Sequence, residues 1–180
     1  MNPMNESGEI LPVVDEHGTV VGSAPRAVCH DGASRLLHPV VHLHVIDESG
    51  RLLMQKRSAK KRIQPGRWDT AVGGHVDYGE AIADALRREA CEEIGLTDIS
   101  EAKLLKNYLF ESEVERELVY CHIIRAPRGF KPTISEPDDI DILQFRPIDD
   151  ILNNLGNGSL TPNFEREFQS VVYPCLSSNE

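Results

Sequence analysis

Gly73-Gly74-His75-Val76-Asp77-Tyr78-Gly79-Glu80, followed by Ala81-Ile82-Ala83-Asp84-Ala85-Leu86-Arg87-Arg88-Glu89-Ala90-Cys91-Glu92-Glu93-Ile94-Gly95-Leu96, is the stretch on which the reading of this chain turns. Three glycines in its first seven positions make a loop in which backbone can approach a ligand closely. The residues from Glu80 to Ile94 are rich in Ala, Leu, Arg and Glu and contain no Gly or Pro, which predicts a helix. Gly95 is a natural left-handed residue to end it, with Leu96 supplying the accompanying apolar contact. At about 100° per residue, Ile82, Leu86, Ala90 and Ile94 form a drifting apolar stripe. Glu89, Glu92 and Glu93 gather on roughly a third of the circumference, bordering that stripe rather than opposing it. Glu89 and Glu93 are four apart and face each other as like charges. Carboxylates crowded at the edge of a core need protons or a cation. A solvated acidic face is the plain alternative. Oxygen donors clustered on one helix favour hard divalent cations, Mg²⁺ or Mn²⁺.

Composition bounds the rest. The 180 residues suit one ordinary domain and carry 19 basic against 29 acidic residues, a net charge of −10. That balance disfavours nucleic-acid polymers but not a small phosphate compound held through a cation. With 40% hydrophobic residues the chain is too apolar for disorder. No apolar run approaches the ~18 residues of a membrane helix, and no basic-then-apolar leader is seen, so a cytoplasmic protein without a membrane partner is expected. Cys29, Cys91, Cys121 and Cys175 are widely spaced without a C-x-x-C pair and read as reduced thiols.

Working outward, residues 1–9 read as a loose tail and 10–180 as a single α/β domain. Ile10–Val14 and Thr19–Gly22 form a hairpin, and a short helix follows before Ser34. Val40–Ile46 is a strand whose His42 and His44 share a polar, half-exposed face, with a pocket wall as the alternative. Leu52–Gln55, Leu104–Phe110, Leu118–Ile124 and Ile140–Phe145 are further strands. A short helix opens at Pro147. Thr161 caps a last helix running to about Tyr173. Trp68 reads as core or pocket wall. Lys56, Arg57, Lys60, Lys61 and Arg62 put five basic residues in seven positions, a local inversion of sign that suits an anionic ligand. Glu136, Asp138, Asp139 and Asp141 form a second acidic run, either a solvated loop or the mouth of a site.

Gly74, Glu80, Arg88, Glu89, Glu92, Glu93, Gly95 and Leu96 together resemble the Nudix box, residues 74–96, with Ala90 smaller than the usual aliphatic. The resemblance implies an α/β/α sandwich around a mixed sheet. It implies a Mg²⁺- or Mn²⁺-dependent hydrolase of a diphosphate linkage in a nucleoside-diphosphate-linked or related small molecule. Carried over, Glu89, Glu92 and Glu93 are metal ligands, joined by the carbonyl of Gly74. Arg88 orients the glutamates, and Glu80 supports the loop–helix junction and joins the metal set through a water. Glu93 is the first choice of base, with Glu92 beside it and Glu117 in reserve. A homodimer is implied only at family level.

A second resemblance spans about residues 10–126. The order of hairpin, Leu37-His38-Pro39, Lys56-Arg57-Ser58, Pro65-Gly66-Arg67-Trp68, Gly74-His75 and Gly79-Glu80 is similar to the type I isopentenyl-diphosphate isomerase branch of the Nudix family. It implies a second metal site at His38, His75, Glu115 and Glu117, with His30 matching if one residue is inserted. It also implies diphosphate binding by Arg57 and Lys61. The catalytic Cys of that branch falls at Gly73, so the resemblance favours hydrolysis over isomerisation. A non-catalytic sensor domain is the alternative from another class.

Overall fold

The computed structural model describes residues 8–61 and 63–178. The first seven residues of the expected tail, and Arg62 of the basic stretch, lie outside them. Among the described residues nine strands and five helices run in the order β1 (Ile10–Val14), β2 (Val20–Pro25), α1 (Arg26–Cys29), β3 (Leu37–Ile46), β4 (Leu52–Arg57), β5 (Trp68–Thr70), β6 (Val72–His75), α2 (Ile82–Ile94), β7 (Lys103–Glu111), β8 (Arg116–Arg125), β9 (Ile140–Arg146), α3 (Ile148–Asn154), α4 (Pro162–Glu167) and α5 (Tyr173–Ser177). A π-helical turn, Phe168–Val172, joins the last two helices.

The first two strands pair as an antiparallel hairpin. The others form a seven-stranded mixed sheet, β5-β4-β3-β8-β7, with β6 on β3 and β9 on β4. β3 and β8 run parallel in register from Leu37↔Arg116 to Ile46↔Arg125. β3 meets β4 at Ile46↔Leu52 and then parts from it. Beyond that point β3 takes β6 as its partner, while β4 takes β5 and β9. The sheet is thus split between β3 and β4, with β6 and its two glycines on the β3 side.

Period-2 alternation along β3 builds two cores. Val41, Leu43 and Val45 join Ala85, Leu86, Ala90 and Ile94 of α2 on one face. On the other, Leu52, Met54 and Cys121 pack beneath Ile151, Phe164, Phe168 and Val172 of the C-terminal helices. Helices on both faces of a mixed sheet are the expected α/β/α sandwich. α2 starts at Ile82, two residues later than expected, because the amide of Glu80 turns back to the Asp77 carbonyl. Gly95 has φ 72°, and Leu96, 2% exposed, donates its amide to Ala90. This is a Schellman-type stop with its apolar contact. Thr161 caps α4 by accepting the Phe164 amide at 3.3 Å, and the helical path continues to Ser177. Pro174 has no N–H for the carbonyl four residues back, and the wider turn before it accommodates that loss. β5 and β6 were not anticipated: three and four residues long, with two glycines in β6, they carry too little alternation to read.

One expectation is corrected here. The face carrying His42 and His44 is buried, not half-exposed, because α4 packs across it.

Candidate functional site

The loop and helix of the opening motif meet at two glycines. Gly73 donates its amide to Glu93 Oε2 at 2.9 Å. At Gly74 an added Cβ would lie 1.9 Å from Cδ of Glu89. Only a residue without a side chain lets β6 and the Glu89 carboxylate come this close. Burial pushes Glu89 up to about 7, with Glu92 and Glu136 adding to the rise and Arg88 opposing it. Glu93 is held well above the carboxylate range by burial and the neighbouring Glu89, against the Gly73 hydrogen bond. Without a cation, the cluster retains protons as like charges short of solvent must.

Arg88 is the hub of the motif. Its Nε and Nη2 donate to the two oxygens of Glu80 at 3.0 and 2.9 Å, and Nη1 donates to Glu89 at 2.8 Å and Glu92 at 3.3 Å. Nη2 also reaches the His75 carbonyl at 3.0 Å. The planar fork therefore fixes loop and helix glutamates together. Glu80 also accepts the Asp77 amide at 3.0 Å, and its pKa is lowered, first by Arg88. Its oxygens are committed to the junction. These contacts fit the supporting role expected of Glu80 at the loop–helix junction.

A second constellation lies at the start of β3. His30, His38, His75 and Glu117 each bring one ligand atom within 4.8 Å of the others. The elements explain the convergence: His38 registers with Glu117 across β3 and β8, and β6 ends at His75 opposite Val40. His30 follows α1, its Nε2 lying 3.2 Å from His75 Nε2 and 3.7 Å from Glu115 Oε2. His30 and His38 each engage Nδ1 with a backbone carbonyl, of Arg26 and Leu36, both at 2.9 Å. That leaves both Nε2 atoms for another partner. The buried Nε2 of His38 has none. Burial lowers His38 to about 4 and His75 well below its usual value. Burial and Glu115 raise Glu117 to about 8, against His42. Neutral imidazoles with an orphaned nitrogen, facing a carboxyl group, form a donor set suited to a divalent transition metal.

The basic loop is less open than its composition implies. Arg57 donates to the Ile63 carbonyl through Nε and Nη2, and Nη1 reaches Asp69 at 3.3 Å. Lys61 pairs with Asp139 at 2.8 Å, and Lys60 with Asp138 at 3.1 Å. Two members of the second acidic run thus pair with Lys60 and Lys61, while Glu136 adds to the negative potential at Glu89 and Glu93. Arg57 and Lys61, the two residues expected to hold the diphosphate, each face a carboxylate of their own chain.

Sequence reasoning missed Asp69, Glu167 and Tyr108. Asp69, on β5, adds negative potential to Glu93, Glu115 and Glu117 alike. Glu167 accepts hydrogen bonds from His42 and His44, and Tyr108 donates to it at 2.7 Å. The one available signal for Glu167 was an acidic residue on the inner side of an amphipathic helix. Trp68 is half-buried, with the Arg146 guanidinium 4.9 Å from its ring centroid. No disulfide links the four cysteines. Among the described residues no helix is long and apolar enough to cross a membrane.

Comparison with known proteins follows the same lines. A NUDIX domain model matches residues 36–166. An isopentenyl-diphosphate Delta-isomerase of Mycolicibacterium vanbaalenii is 37% identical over 99 residues, 54% of this chain and 54% of that protein. A Streptomyces coelicolor protein named as an uncharacterized Nudix hydrolase is 36% identical over 113 residues, 63% of this chain and 61% of its own length. The chain thus spans between half and two thirds of these relatives. A crystal structure from Deinococcus radiodurans superposes with a TM-score of 0.70 at 27% identity, covering 85% of this chain and 92% of that one. The matched region contains the whole glycine loop, the glutamate helix and the split sheet, and this chain belongs to the Nudix hydrolase family.

Proposed function

We propose that the protein is a Mg²⁺- or Mn²⁺-dependent hydrolase that cleaves a diphosphate linkage in a nucleoside-diphosphate-linked or related small molecule. The observation that carries this reading is the Glu89–Glu93 pair. The two carboxylates are partly buried, raised in pKa and pressed against a glycine backbone, without cationic charge enough to balance them. Glu89, Glu92, Glu93 and the Gly74 carbonyl would hold the cations. Bound there, divalent cations supply neutralisation of the diphosphate and a more acidic water. The chain's own contribution is placement. Arg88 holds Glu89 and Glu92, and the Gly73 amide holds Glu93 where it can take a proton from the attacking water. The test is a phosphate-release screen over nucleoside di- and triphosphates, dinucleoside polyphosphates, nucleotide sugars and isoprenoid diphosphates, with and without Mg²⁺. Activity unchanged in both Glu92→Gln and Glu93→Gln sinks the assignment.

The group of His30, His38, His75 and Glu117 supports a second metal site, with Glu115 at its edge. That group also supports a second reading, isomerisation of an isoprenoid diphosphate, in line with the name of the Mycolicibacterium relative. Gly73 stands where that branch places its catalytic thiol, so hydrolysis is preferred. Conversion of isopentenyl to dimethylallyl diphosphate by the wild-type protein would reverse the order.

A further inference from the structure

His42 lies on β3 directly across from Gly73 of β6. A Cβ at Gly73 would sit 3.5 Å from Cδ2 of His42 and 3.6 Å from its Nε2. The imidazole edge therefore borders the exposed glycine whose amide holds Glu93. The other nitrogen, Nδ1, lies 3.0 Å from Oε2 and 3.1 Å from Oε1 of Glu167. Glu167 is fully buried and cannot yield, because Tyr108 at 2.7 Å and His44 at 2.5 Å hold the same carboxylate. A histidine anchored at Nδ1 by a buried carboxylate has its ring orientation fixed and its Nε2 directed outward.

His44, two residues along the same face, shows what a purely internal histidine looks like here. It is 0% exposed, its Nε2 is spent on Glu167, and its Nδ1 is sealed in the core without a partner. His42 differs at each point. It is 8% exposed, and its Nε2 has no hydrogen-bond partner among the described residues yet is not among the sealed, unpartnered atoms. Burial opposes charge on His42, but Glu167 outweighs it, with Glu117 and Asp69 adding, and the pKa rises to about 9. His42 is thus a donor beside Gly73, the glycine whose amide holds Glu93.

We propose that His42 is a further substrate-contacting residue, its Nε2–H donating to an oxygen of the diphosphate compound beside Gly73, with Glu167 as its positioning residue. This rests on the hydrolase reading above. The probe is methylenediphosphonate with Mg²⁺, added to full-length protein carrying ¹⁵N-labelled histidine. The His42 Nε2 resonance should shift on saturation, while His44 stays in place. His42→Asn keeps a donor for Glu167 but removes the outer nitrogen. Gly73→Val covers that nitrogen from the facing strand. Each should weaken Mg²⁺-dependent binding of the probe about 10- to 100-fold, the range of one hydrogen bond to a charged group. Wild-type binding with an unmoved His42 signal would overturn the proposal even if either variant misfolds. Wild-type affinity in both variants would do the same and leave the hydrolase reading standing. No Mg²⁺-dependent binding by the wild type would overturn both.

Discussion

Glu93 of α2 and Gly73 of β6 are joined by one hydrogen bond of 2.9 Å from backbone amide to carboxylate. The bond fixes a side chain on one layer of the sandwich against the strand that borders the split in the sheet. It also sets what removal of the charge should do. Glu93→Gln keeps an oxygen to accept the Gly73 amide and takes away a group able to ionise beside Glu89. Turnover should fall by about 10²- to 10⁴-fold, the range for loss of a general base. The melting temperature should hold or rise, since like-charge crowding is relieved. Steady-state kinetics and thermal unfolding on one preparation check both.

Gly74→Ala should be the most disruptive single methyl group in the site. Its Cβ would fall 1.9 Å from Cδ of Glu89, so the glutamate must leave its place or β6 must move. Overpacking of this kind costs about 1–3 kcal/mol. Denaturant unfolding should show that loss. Calorimetric titration should show weaker Mg²⁺ binding than in the wild type.

The two proposed metal sites should separate by mutation. Adding Mg²⁺ at about a hundred times its dissociation constant should stabilise the wild-type protein by about 2.7 kcal/mol. Glu89→Gln should lose most of that gain. His38→Asn should keep it, yet lose stabilisation by Mn²⁺ or Zn²⁺ at the imidazole cluster. Equal responses from the two variants would show that the sites are not independent.

The His42–Glu167 pair makes stability depend on pH in a calculable direction. His42 is raised in the fold from 6.5 to about 9, so its contribution is complete below pH 6.5 and disappears as pH rises through 9. Glu167 is held well below its usual value, against its own burial, by His42 and His44, so its share is lost instead in acid. His44, His122, Tyr108, Glu117 and Asp69 share the surroundings of the pair. Between pH 6.5 and 9 the stability advantage of wild type over His42→Asn should shrink by on the order of 3 kcal/mol. Urea unfolding at several pH values measures it. A constant difference would mean that His42 is neutral in the fold.

The sequence by itself determined the local part of this protein. The helix at Ile82–Ile94, its stop at Gly95, the cap at Thr161 and the glutamates of the motif are set by spacing within one or two turns. Such features depend on neighbours in the chain, so a linear reading reaches them. The convergence of His30, His38, His75 and Glu117 was reached only through resemblance. Its members lie on α1's exit, β3, β6 and β8, and only strand register brings them together.

Tertiary structure alone decided the rest. Period-2 alternation placed His42 and His44 on one face of β3 but could not say what covers that face. The answer is Glu167, more than 120 residues away in sequence, brought there by α4. The basic stretch likewise reads as free charge until β9 pairs with β4 and lays Asp138 and Asp139 against Lys60 and Lys61. In both cases the physical reason is the same. Whether a charge faces solvent, substrate or an opposite charge depends on long-range packing, and side-chain identity fixes only which of those partners it needs.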